Sequence, residues 1–141
     1  MLNLSIIIVT YNSEKEIESC LNSVFENIDD KTEVVVVDNC SSDGTVQLLE
    51  EKYPLVRLIR NDKNTGFARS CNQAVKVAKG EYVLFLNPDT VVSNGAFKKM
   101  IDFMEANSKM AILGCRILNK DGSVQPSCGN FPSVINIICG L

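Results

Sequence analysis

Histidine is absent from the 141-residue chain, so a zinc site would have to be assembled from dispersed thiolates. Zinc sites draw on Cys and His at short spacings. The six cysteines, Cys20, Cys40, Cys71, Cys115, Cys128 and Cys139, include no C-x-x-C pair. Cys20 and Cys71 fall on apolar helical positions, which suits buried reduced thiols rather than disulfides. Clustered Lys and Arg are also lacking. The formal net charge is -3 and the basic residues are scattered, which argues against the positive surface that nucleic-acid phosphates require. No apolar run approaches the roughly 20 residues that span a bilayer. The chain runs from Met1 almost directly into a strand, without the basic region or cleavage pattern of a signal peptide. A cytoplasmic location is expected, with any membrane association left to a segment outside this chain.

What remains is an ordinary globular balance, 45% hydrophobic and 22% charged, without repeats or low-complexity tracts. The length suits one domain with a sizeable core. Leu4 to Val9 is a continuous apolar run, as in a strand buried on both faces. Ser13 and Glu16 match a capping box, and Ile17, Cys20, Leu21, Val24 and Phe25 form a helical stripe. Glu33 to Val37 is a second strand, followed by a helix carrying Val46, Leu48 and Leu49 that Ser42 or Asp43 can cap. Val56 to Ile59 is a weaker strand, because Arg57 and Arg60 interrupt its apolar run and suit a position nearer the sheet edge. A helix is expected over 67–78, a strand over 82–86, a helix around Ala96 to Met104, and a strand over 111–118. Asn119-Lys120-Asp121-Gly122 is a hairpin-turn signal. Val124 to Leu141 shows no clear period. The alternation predicts an α/β, mostly parallel sheet with helices on both faces.

Two strands deliver an acid to the same rim. Leu84-Phe85-Leu86-Asn87-Pro88-Asp89 places Asp89 just past a proline-restricted turn, and Val34 to Val37 ends in Asp38. The carboxyl edge of an open α/β sheet is where ligands bind.

Taken in order, Ile6 to Asn12, Val34 to Asn39 with Ser42-Asp43-Gly44-Thr45, Asn64 to Arg69 with Asn72, and Gly80 to Asp89 resemble glycosyltransferase family 2. Within it the chain is most similar to the rhamnosyltransferase-type branch. The resemblance covers almost the whole chain and implies a GT-A fold and inverting sugar transfer from a nucleotide-sugar donor, UDP- or dTDP-linked, to a glycan or lipid-linked acceptor in cell-surface polysaccharide synthesis. In that frame Thr10, Tyr11 and Asn12 leave the first strand on the ligand edge, where a Tyr ring can cover a pyrimidine; the lesser alternative for Tyr11 is a rim aromatic packing on the first helix. Asp38 is acceptor-only when ionised, which suits a uracil or thymine imide N–H, or it is an ordinary turn cap. Asp43 caps a helix and braces its loop near the nucleotide. Gly66 permits close backbone approach, and Arg69 offers a planar fork for pyrophosphate or base, unless it is a solvated surface arginine. Asn72 orients the site or caps backbone.

Asp89 matches the last acid of the family's D-x-D motif, which implies Mn2+ or Mg2+ shared with the donor diphosphate. Asn87 stands where the first Asp would be; it can still bond ribose but adds no charge. The base that activates the acceptor lies, in this family, beyond the region matched here, and Asp102, Glu105 and Asp121 sit in no such motif. Residues 1–141 therefore read as a single GT-A domain truncated at its C-terminal, acceptor side, binding donor without completing transfer. Such a domain could self-associate through apolar surface left uncovered. A non-catalytic binding or scaffold module of the same fold is the competing reading. A dinucleotide oxidoreductase lacks its G-x-G-x-x-G here, and a sugar nucleotidyltransferase lacks its glycine-rich basic loop.

Overall fold

The continuous apolar run at the amino terminus becomes the centre of the sheet. In the computed structural model, which describes residues 3–126, β1 (Leu4–Thr10) is buried along its whole length. It pairs in parallel with β2 (Thr32–Asp38) on one side and β4 (Tyr82–Leu86) on the other, and β3 (Arg57–Arg60) pairs with the outer side of β2. The order is β3-β2-β1-β4. Arg57 and Arg60 do sit at an edge, where their exposed charges discourage pairing with another chain.

Alternating side chains give each face its own core. Ile6, Ile8, Val34 and Val36 meet Ile17, Cys20, Leu21 and Val24 of α1 (Glu14–Phe25), Leu49 of α2 (Thr45–Lys52) and Phe97 of α4 (Ala96–Ala106). On the opposite face Ile7, Val9, Val35 and Val37 pack on Cys71 and Ala74 of α3 (Phe67–Val75). Helices therefore cover both faces. Burial of such side chains contributes about 1.5–3 kcal/mol apiece, which is what holds the rim loops in place.

The described residues form two compact units, one up to Ala106 and the other from Asn107. In the second, the expected hairpin turn is present: Gly122 adopts φ 83°, its N–H donates to the Asn119 carbonyl, and Leu118 bridges Val124 antiparallel.

Three expectations need correction. No described residue forms a ladder with 111–116, so the predicted strand over 111–118 is reduced to the Leu118 bridge; apolar composition does not make a strand without a partner. The third helix stops at Val75 rather than Ala78; just beyond it the Lys79 N–H goes to Glu33 Oε1 and more weakly to Ser5 Oγ (3.2 Å), and the Gly80 N–H goes to Ser5 Oγ (2.8 Å), which ties the chain to the first two strands. The Ser13–Glu16 capping box does not form. Ser13 Oγ accepts the N–H of Tyr11, and the Ser13 N–H goes to Thr45 Oγ1 at 2.9 Å. Cys128, Cys139 and all of the final segment beyond Pro126 lie outside the described residues. Among those described, no helix is long and apolar enough to cross a membrane.

Candidate functional site at the carboxyl rim

Thr10 and Asp38 end the two central strands side by side, in register. The Thr10 hydroxyl donates to Asp38 Oδ1 at 3.1 Å. Asp38 is 2% exposed and also takes the N–H of Ser41 on Oδ2 at 2.9 Å and the Ser41 hydroxyl on Oδ1. This is the turn-capping geometry weighed for it above. A carboxylate has about four lone-pair sites, so one acceptor position remains after these three donors. The neighbouring loops are laced together. Asn12, at φ 51°, donates its N–H to Ser41 Oγ (2.9 Å) and accepts the Ser42 N–H on Oδ1 (2.8 Å). Its side chain thus holds the β2–α2 loop. Tyr11 stands beside it, 54% exposed.

Asp43 braces both helix starts: Oδ1 accepts from the Thr45 N–H (3.1 Å) and hydroxyl, and Oδ2 accepts the N–H of Glu14 at 3.1 Å. Its slight burial works to raise the carboxyl pKa, but the donations from Thr45 and Glu14 outweigh it and hold Asp43 below the usual carboxylate value. The expected bracing role is therefore what the geometry contains.

The third loop is tied to the same rim by a residue to which the sequence reading gave no role. Asn39 is 3% exposed; its Nδ2 donates to Asn64 Oδ1 at 2.8 Å, and its Oδ1 accepts from the Thr65 N–H at 2.8 Å and from Asn61 Nδ2 at 3.3 Å. Gly66 follows at φ 84°, a left-handed value that favours glycine, with open space where a Cβ would stand. It starts α3, which carries Arg69 and Asn72. Both are exposed, and neither is hydrogen-bonded to the other site residues.

Asn87 and Asp89 lie at the other end of the rim. With Pro88, Ser13 and Glu16 they line an open groove of about 310 Å³. The groove sits between the ends of β1 and β4, where strand order reverses from the β1-β2-β3 direction, the usual place for a ligand in such sheets. Ser13 and Glu16 had been assigned to each other as a cap; freed from that, Glu16 adds a second carboxylate to the groove wall. Beneath it, Cys20 Sγ approaches the Asn87 carbonyl at 3.6 Å. Burial pushes this thiol up to about 11, a Thr90 N–H contact opposes the shift, and the Asp89 charge adds to it.

Among the described residues no group of three or more His, Cys, Asp or Glu side chains could hold a metal by itself. Asp89 in this open groove could instead supply one oxygen ligand to a hard cation that takes most of its ligands from elsewhere, as Mg2+ does with phosphates and one or two carboxylates.

The parallel α/β sheet flanked by helices is of the doubly wound kind, and its match to S. aureus TarS 1-349, with a TM-score of 0.69 at 35% identity, gives it the GT-A architecture. Residues 5–129 match the family described as Glycosyl transferase family 2, and the chain belongs to that family. It is 36% identical to the poly(ribitol-phosphate) beta-N-acetylglucosaminyltransferase TarS of Staphylococcus aureus, over 80% of this chain and 21% of TarS. It is 30% identical to the N-acetylglucosaminyl-diphospho-decaprenol L-rhamnosyltransferase of Mycobacterium tuberculosis, over 94% of this chain and 47% of that one. The chain spans less than half the length of either relative. Among solved structures, S. aureus TarS 1-349 in complex with UDP-GlcNAc superposes with a TM-score of 0.69 at 36% identity, covering 76% of this chain and 32% of that chain. The mannosyltransferase PcManGT from Pyrobaculum calidifontis, in complex with GDP-Man and Mn2+, gives 0.67 at 31% identity, covering 72% and 32%.

Proposed function

We propose that this chain binds the nucleotide-sugar donor of an inverting glycosyltransferase that builds a cell-surface polysaccharide on a glycan or lipid-linked acceptor. The observation that carries the reading is the exposed Asp89 carboxylate in a groove at the strand-order reversal, on the same sheet rim as Thr10, Asp38 and the α3 start. UDP-GlcNAc and GDP-Man in the neighbouring structures support a nucleoside-diphosphate sugar as the ligand class.

In this reading Thr10, Tyr11 and Asn12 flank the nucleoside, with the Tyr11 ring free to cover a base. Asp38 offers its remaining acceptor position to an imide N–H. Arg69 and Asn72 supply donors to the diphosphate or base, Gly66 lets backbone approach, and Asp43 keeps the loop in place. Asn87 meets ribose. Asp89 and the donor's oxygens would hold Mn2+ or Mg2+, which neutralises charge gathering on the departing diphosphate. In this reading residues 1–141 bind donor without transferring it, and none of the carboxylates Asp102, Glu105 and Asp121 is assigned the role of acceptor base. A cytoplasmic location is part of the same proposal. Val83 and Phe85, 39% and 51% exposed on the edge strand β4, support association of two copies of the chain.

Titration calorimetry with UDP, dTDP and GDP, with and without Mn2+, tests the donor site. Binding strengthened by Mn2+ and lost to that ion in Asp89→Ala supports it. Absence of binding to all three favours a scaffold module of the same fold, and robust sugar transfer by this chain would overturn the donor-only reading.

A further inference from the structure

The segment that carries Asp89 has no regular structure of its own. Residues 87–95 run between β4 and α4 as turns and extended chain, and a free segment of that kind costs about 1–2 kcal/mol per residue to order. Its backbone is nevertheless fastened, and the fasteners come from one line of side chains along α1 and its exit.

Cys20, Ser23 and Asn27 follow one another at helical spacing, so they project toward the same side. Cys20 Sγ contacts the Asn87 carbonyl, just before Asp89. Ser23, 6% exposed, accepts the Val92 N–H on Oγ at 2.9 Å. Asn27 accepts the Gly95 N–H on Oδ1 at 2.8 Å. Two of these side chains are themselves fixed by their own helix: the Ser23 hydroxyl donates to the Cys20 carbonyl at 2.7 Å, and Asn27 Nδ2 donates to the Ser23 carbonyl at 2.9 Å. Each acceptor is thereby pointed at the segment by a donor bond made behind it. The same helix starts at the groove wall, with Ser13 preceding it and Glu16 in its first turn. One rigid element thus sets both sides of the groove.

We propose that Ser23 and Asn27, with Cys20 at their head, are positioning residues that hold the Asp89 carboxylate where the donor's metal ion needs it. This rests on the donor-site reading above. Neither Ser23 nor Asn27 lines the groove, so they act only through the backbone of 87–95. Their loss should weaken the metal-dependent part of binding and spare the part made by the other rim loops, which depend on Asp38, Asn39 and Asn12.

The test titrates the full chain with UDP, and with dTDP and GDP in parallel, each with and without Mn2+. Ser23→Ala and Asn27→Ala are compared with wild type, and Ser23→Thr serves as the variant that keeps the hydroxyl. Losing one such hydrogen bond should reduce the Mn2+-dependent gain in affinity roughly five- to tenfold, with metal-free affinity unchanged and Ser23→Thr close to wild type. Asn27 is only half-buried, so Asn27→Ala keeps the test open if Ser23→Ala does not fold. A folded Asn27→Ala with the full Mn2+ gain, or an equal loss with and without Mn2+, would overturn the positioning role. Wild type showing no Mn2+ gain with any nucleotide would instead sink the donor-site reading beneath it.

Discussion

Glu14 and Asp43 brace each other's helix starts: the Glu14 N–H donates to Asp43 Oδ2 at 3.1 Å, and Glu14 Oε2 accepts the N–H of Gly44 at 3.1 Å. Each acid thus satisfies a backbone donor at the opening of the other's helix, where unpaired N–H groups and the helix dipole both favour negative charge. The exchange joins the β1–α1 and β2–α2 loops, so the rim is one laced unit rather than separate turns.

Asp43→Ala should therefore cost about 1 kcal/mol at neutral pH, the usual scale of a lost helix cap, read as a lower urea midpoint. The effect should depend on pH in a definite direction. Because hydrogen bonds hold the folded Asp43 below its ordinary value, its contribution is complete above the unfolded carboxylate pKa of about 3.9. It is lost as pH falls through the lower folded value. Wild type and Asp43→Ala should differ fully at pH 6 and draw together only as the pH falls below the unfolded carboxylate value of about 3.9 and through the lower folded one. A gap that widens on acidification would contradict the assignment.

Two glycines give opposite expectations from similar crowding. A Cβ on Gly80 would lie 2.5 Å from the Ser5 backbone nitrogen and 2.6 Å from the Leu4 carbonyl carbon, atoms of the central strand that cannot yield. On Gly44 it would meet the Glu14 carboxylate, the far end of a flexible side chain. Gly80→Ala should destabilise by about 3 kcal/mol, the upper range for overpacking. Gly44→Ala should cost under about 1 kcal/mol, the worth of the hydrogen bond that Glu14 gives up. Equal shifts in the two variants would show that the α3–β4 connection is looser than its contacts imply.

Local pattern was enough for β1, β4 and the rim acids, because a continuous Ile/Val run and a proline after a strand constrain the backbone whatever surrounds them. It failed where a distant group competed for the same atoms. Ser13 and Glu16 fit a capping box, yet Thr45, far along the chain, takes the Ser13 N–H. Just beyond α3 the chain is tied to Ser5 in the first strand and Glu33 in the second. Nothing local gave Asn39 or Ser41 a role, and only the fold reveals that one holds the loop of Asn61 to Thr65 while the other donates twice to the Asp38 carboxylate. The apolar stretch 111–118 shows the converse: its composition suits a strand, but pairing is a property of two segments.

Thiol reactivity provides an independent check on packing. Cys20 and Cys71 are buried, and burial raises both thiols above their ordinary value; since the thiolate is the nucleophile, both should resist alkylation. Cys40 and Cys115 are exposed. A brief iodoacetamide pulse at pH 7.5, mapped by peptide mass spectrometry, should label Cys40 and Cys115 in the native chain and reach Cys20 and Cys71 only in urea. Early labelling of Cys20 would mean that α1 and the 87–95 segment separate readily.

Asp89 and Arg69 are exposed, and no hydrogen bond or ion pair to another described residue ties either side chain to the fold, so replacing them should leave stability nearly unchanged. Asp89→Asn and Arg69→Ala should each leave the unfolding free energy within about 0.5 kcal/mol of wild type. Their binding defects should differ in kind. Asp89→Asn removes the charge that a hard cation needs, so the Mn2+ gain in nucleotide affinity disappears while metal-free binding stays. Arg69→Ala removes a charge-assisted donor worth about 1.5–3 kcal/mol, so affinity falls tenfold or more with and without metal. Calorimetry on both variants separates the two effects, and an Arg69→Ala chain that binds as tightly as wild type would return Arg69 to the solvent-facing surface of α3.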